Sequence, residues 1–97
     1  MSTSTTPVGE RLALVAQWLG MDHARLSRES GLAQGHVGAI IRGTVKSPAA
    51  ATLAAISERS GASLGWIITG SGDSEVERAA VERARASQPA APATEAA

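Results

Sequence analysis

The sequence predicts an all-α fold, and three observations carry that prediction. Apolar side chains recur at three- and four-residue intervals, a helical period. Capping residues and glycines punctuate the chain at short intervals, marking starts and stops. No segment sustains the two-residue alternation of a strand, and the β-branched residues are scattered. The 97-residue length supports one small domain. Its only aromatic side chains are two tryptophans, so aliphatic residues and alanine must fill most of the core.

The elements follow in order. Thr6-Pro7 is an N-cap followed by proline at the first helical position, where a missing N–H costs nothing. Leu12, Val15, Ala16 and Leu19 then repeat at helical spacing until Gly20. Asp22 caps a second helix through Ala24 and Leu26, stopping at Gly31. A third runs from about Gln34 to Arg42, with Val37, Ile40 and Ile41 apolar and Gly43 as its stop. Ser47-Pro48 repeats the cap-plus-proline signal; Leu53 and Ile56 face inward, and Gly61 ends the segment. Ser63 caps a fifth helix over Leu64 to Ile68, closed by Gly70. Finally, Ser74-Glu75-Val76-Glu77 reads as a capping box opening an Ala/Arg/Glu-rich helix to about Ala86. Val76, Ala80, Val81 and Ala84 give that helix a narrow apolar strip, which suits dimerisation, docking on the other helices, or plain solvation.

The organisation expected is a flexible opening at 1–6, one compact helical domain at 7–72, an amphipathic helix at 73–87 and a disordered Pro/Ala tail at 88–97. Several classes are set aside by composition. Without cysteine there is neither a disulfide framework nor a thiolate metal site. His23 and His36 lack a paired carboxylate, so no metal or cofactor is expected. No run approaches the roughly 18 apolar residues of a membrane span, and Met1 to Thr6 lacks the basic start and apolar stretch of a secretory leader. The expected location is therefore the cytoplasm. No nucleophile elbow or organised acid/base set is present, so no enzyme is expected. Gly35-His36-Val37-Gly38 matches a single-strand-clamping GxxG by chance, since the strands that fold requires are missing. Thr69 to Asp73 lacks the lysine and strand of a phosphate loop.

The informative segment surrounds Gly31. Leu26, Gly31 five residues on, then Val37 and Ile40 reproduce helix-turn-helix spacing. A glycine at positive φ ends one helix, and the next packs back across it so that its N-terminal residues project from the surface. With Met21-Asp22-His23, Leu26-Ser27, Gly43, Pro48, Leu53-Ala54-Ala55-Ile56 and Trp66-Ile67-Ile68-Thr69-Gly70 in the right order, residues 8–70 resemble the Cro/phage-repressor (Xre-type) helix-turn-helix family.

That resemblance implies a compact five-helix domain that binds double-stranded DNA as a homodimer, with the third helix in the major groove. It places Gln34, Gly35, His36, Gly38 and Ala39 on the base-reading face, where the Gln34 carboxamide suits adenine. It places His23, Arg42, Thr44 and Lys46 against phosphates. Three departures qualify it. Gly35, Gly38 and Ala39 stand where relatives carry longer readers, at about 1 kcal/mol per helical glycine. Sequence reading is then relaxed, or comes from DNA shape. Ala33 replaces a usual Ser/Thr cap, predicting a weak start to the third helix. Ala16 and Ile41 replace a buried Arg–Glu pair found in some relatives, a change that can be neutral. Trp18 and Trp66 read as packing residues.

The expected function is transcriptional regulation, by repression, with a possible protein partner on the C-terminal helix. The competing expectation is a protein-interaction module on the same fold: an antirepressor, adaptor or antitoxin-like partner. Zero net charge favours the second until it is divided. Residues 8–72 hold six basic against four acidic side chains, or +2, and residues 73–97 hold three against five, or −2. Neutrality thus hides a mildly basic domain with an acidic extension, consistent with modest, salt-sensitive binding.

Overall fold

The computed structural model describes residues 7–87; the Thr6 cap, the expected flexible opening at 1–6 and the tail at 88–97 lie outside the described residues. Those described form six helices and no strand: α1 (Pro7–Leu19), α2 (His23–Glu29), α3 (His36–Arg42), α4 (Ala50–Ser60), α5 (Leu64–Thr69) and α6 (Ser74–Ser87). The all-α expectation holds.

The core is aliphatic, as the composition requires. Leu12, Val15, Ala16 and Leu19 from α1 meet Leu26 of α2, Val37 and Ile40 of α3, Leu53 and Ile56 of α4, and Trp66 and Ile67 of α5. Ala16 lies buried in this apolar cluster and Ile41 packs against it. Trp18 and Trp66 stack on one another, with ring centroids 5.6 Å apart and planes at 24°. That arrangement commits both rings to packing.

α1 is the central strut. Its N-terminal half meets α3 at Gly9, where a Cβ would come within 3.0 Å of the Ile40 carbonyl oxygen and the Ile41 Cα. Its other face holds α5: Arg11 donates from Nε to the Ile67 carbonyl at 2.8 Å and from Nη2 to the Ile68 carbonyl at 2.9 Å. These are carbonyls of the last turn of α5, which have no partner within the helix, and a cation there also suits the dipole.

α6 docks on α1 and α4. Val81 is fully buried, and Ala84 fits against Gly61, whose added Cβ would sit 2.9 Å from the Ala84 Cβ. Two polar clasps flank that contact. Glu77 accepts from the Ser63 N–H at 2.8 Å and from the Ser63 hydroxyl at 3.0 Å, and Arg85 donates to the Trp18 carbonyl at 3.2 Å.

Three expected caps differ from the structure. α4 begins after Ala49 rather than Ser47, so Pro48 precedes the cap and only fixes the entering chain. At α6 the capping box does not form. Asp73 takes the cap position and accepts from the Glu75 N–H at 2.8 Å, leaving Glu77 for Ser63. α3 starts at His36, with Gln34 and Gly35 in the preceding turn.

Candidate nucleic-acid interface

The unit that bears the expected site is α2, its turn and α3. Asp22 starts α2 by accepting from the Arg25 N–H at 2.7 Å, an N-cap that satisfies one of the free donors of the first turn. α2 closes at Gly31, whose φ of +79° is the left-handed conformation a helix end demands of glycine. The Leu32 N–H then returns to the Ser27 carbonyl at 2.8 Å, and the Leu32 side chain packs against the core.

α3 has no side-chain cap of its own, since its cap residue is Gly35. The expected weakness at Ala33 is offset from another helix. Ser27, wholly buried on α2, accepts from the Val37 N–H at 3.0 Å and donates to the His23 carbonyl at 2.9 Å. One hydroxyl therefore uses its donor and an acceptor site together, and ties the second residue of α3 to the first turn of α2. No local pattern exposes such a cap, because the partners are ten residues apart and on different helices.

The expected site residues fall as follows. Gln34 and Gly35 are exposed in the turn that leads into α3, His36 is half-buried at its first position, and Ala39 is half-buried one turn on. Gly38 is buried. A Cβ there would lie 3.0 Å from Nη1 of Arg42 and 3.9 Å from the Cβ of His23. The Arg42 side chain thus folds back along α3 over Gly38. His23 is exposed at the first position of α2, on the border of that same seat.

Beyond α3 the chain is held by the Ala39 carbonyl, which accepts from the Thr44 N–H at 2.9 Å and the Val45 N–H at 3.2 Å. Val45 packs on the core while Thr44 and Lys46, on either side of it, stay exposed. Arg42 and Lys46 make no hydrogen bond or ion pair with the described residues, in contrast to Arg11, Arg25 and Arg59, which are engaged. From Ser30 to Ser57 there is not one carboxylate, while Arg42, Lys46 and His36 lie within the span. That acid-free stretch contains the whole of the α3 segment and its following loop. It was legible in the sequence as a 28-residue gap between Glu29 and Glu58.

The nearest acidic group on α2 is already bound. Glu29 accepts from Arg25 at 2.7 Å and from Arg59 Nε of α4 at 2.9 Å. The hydrogen bond from Arg25 holds its carboxyl below the ordinary value; burial opposes that shift and Arg59 adds to it. The large exposed apolar side chains, Leu14, Ile68 and Val76, belong to α1, α5 and α6, so none lies on the α2–α3 face.

Among the described residues no group of three or more His, Asp or Glu side chains could hold a metal. No described helix is long and apolar enough to cross a membrane. Comparison with protein-family models, with the curated proteins and with the solved structures finds no match to this chain.

Proposed function

We propose that the chain is a duplex-DNA-binding transcriptional regulator of the Cro/phage-repressor kind, docking α2 across the backbone and α3 in the major groove. The observation that carries this reading is the pairing of a pinned α2–turn–α3 unit with a segment, Ser30 to Ser57, that holds no carboxylate and two unpaired basic side chains. Ser27 locks the two helices together, and the segment after Glu29 offers His36, Arg42 and Lys46 with no carboxylate before Glu58. A duplex is a dense line of negative charge, so the unpaired Arg42 and Lys46 beside a projecting turn suit it.

Within this reading Gln34 and His36 approach base edges, and Gly35 and Ala39 let the backbone come close to the groove, where small surfaces meet thymine methyls. His23, Arg42, Thr44 and Lys46 take phosphates, which position the protein without reading sequence. The chain works without cofactor and catalyses nothing. It acts in the cytoplasm on the nucleoid, as a homodimer on a pseudo-palindromic site with half-sites about one helical turn apart. Occupying that site excludes polymerase, which makes repression the expected outcome.

The test is fluorescence anisotropy with genomic duplex fragments across a salt series. The reading requires binding whose log affinity falls linearly with log salt, and a weaker, shallower dependence in Arg42→Ala and Lys46→Ala. The alternative, a protein-interaction module, calls for an exposed apolar patch, and among the described residues none of the large exposed apolar side chains belongs to α2 or α3. It gains ground only if both variants bind as the parent does and a protein partner survives nuclease treatment of a pull-down.

A further inference from the structure

The geometry points to Gly38 as a positioning residue: its missing side chain is the seat that folds the Arg42 guanidinium back over α3 toward His23, so that the guanidinium of one helix and the imidazole of the other border a single phosphate position. This rests on the DNA-binding reading and deepens it, because it assigns a role to a glycine that offers no base contact. Gly38 is buried although it lies in the recognition segment. The point its Cβ would occupy is 3.0 Å from Arg42 Nη1 and 3.9 Å from His23 Cβ. A 3.0 Å approach is too close for an ordinary contact, and the intruding group is the far end of a flexible side chain. Alanine at this position therefore leaves the helix intact and displaces the guanidinium.

Helix propensity and binding then move in opposite directions. Glycine inside a helix is unfavourable relative to alanine. A Gly38→Ala variant should raise Tm by about 4–8 °C, as expected for a domain of this size. A role confined to folding would predict no loss of binding alongside that gain. The displaced cation would instead weaken duplex affinity about three- to tenfold at moderate salt and lower the salt slope by about 0.9.

Gly65→Ala provides the control. A Cβ at Gly65 meets nothing within 4 Å, and the residue lies on α5, away from the α2–α3 face. It should stabilise the chain and leave binding unchanged.

The experiment measures thermal unfolding and duplex anisotropy for the parent, Gly38→Ala and Gly65→Ala, together with the Arg42 Nε–Hε signal by NMR without DNA. The expected result is higher Tm in both variants, a shifted Arg42 signal only in Gly38→Ala, and weaker, less salt-sensitive binding only in Gly38→Ala. An unmoved Arg42 signal overturns the seat itself, with or without DNA. A moved signal with parental affinity and slope overturns its role in binding while the DNA reading stands. A parent that binds no duplex at low salt overturns the DNA reading, and this role with it.

Discussion

The Ser27 hydroxyl accepts the Val37 N–H at 3.0 Å while donating to the His23 carbonyl at 2.9 Å, so a single buried side chain joins the helix that would cross the DNA backbone to the one that would enter the groove. Glu77 does the same for α5, reaching from α6 to the Ser63 N–H and hydroxyl. In a capping box that carboxylate comes from the third residue of the same helix. Here the third residue of α5 is Trp66, whose ring is needed for the stack on Trp18. The start of α3 is thus capped from a neighbouring helix and the Ser63 cap of α5 is held by one, so neither end can fray without loosening a tertiary contact.

Ser27→Ala should destabilise the chain by about 1–3 kcal/mol, since it leaves the N–H of fully buried Val37 without an acceptor. Urea unfolding measures the loss. Hydrogen exchange should show the Val37 amide losing protection more than those of α5, and uniform loss would contradict a local cap.

Much of this fold was legible because the signals are local. Positive φ at Gly20, Gly31, Gly43, Gly61 and Gly70 falls at the expected helix ends, and Asp22 and Ser63 cap as their spacing indicates. The contacts across helices were not legible. Ser27 to Val37, Glu77 to Ser63 and Arg11 to Ile67 span ten, 14 and 56 residues. Only packing decides whether such partners meet. The same holds for Ser47 and Ser74, whose sequence context matches a cap equally well but whose backbone lies outside the first turn or inside it. At the candidate site, residue types were readable while orientation was not. Nothing in Gly38 as a letter indicates that Arg42 folds over it.

Gly9→Ala and Gly65→Ala should have opposite signs. The first places a Cβ within 3.0 Å of the backbone of Ile40 and Ile41, and forced overpacking costs about 1–3 kcal/mol. The second enters open space in a helix and gains up to about 1 kcal/mol. Thermal unfolding of the two variants decides it. A stabilised Gly9→Ala would show that α1 and α3 are not in close contact.

Val81→Ala should cost about 2 kcal/mol, because Val81 is the sole buried residue of α6 among the described residues. Tryptophan fluorescence should respond, since the same helix holds the Trp18 carbonyl through Arg85. Adding Glu77→Ala should cost less in this background than alone, as both changes release one helix. Strict additivity would mean that α6 does not dock as a unit.

Acid should weaken the α2–α4 contact through Glu29. Its folded-state pKa is lowered, chiefly by the hydrogen bond from Arg25. The stability it adds is therefore fully present above the ordinary value of 4.5 and is lost as pH falls through the depressed one. The pairs are partly exposed and screened by solvent, so the contribution is small. Glu29→Gln should flatten the stability curve below about pH 4.5 and change its shape little at neutral pH. An unchanged acid limb would show that Glu29 carries no part of it.

The most direct measurement of the central claim is an amide NMR titration of the chain with a short duplex at low salt. The account predicts shifts concentrated at residues 22–24, 33–39 and 42–46, fading as salt rises. Shifts centred on α5 or α6, or no shifts at any duplex concentration, would contradict it.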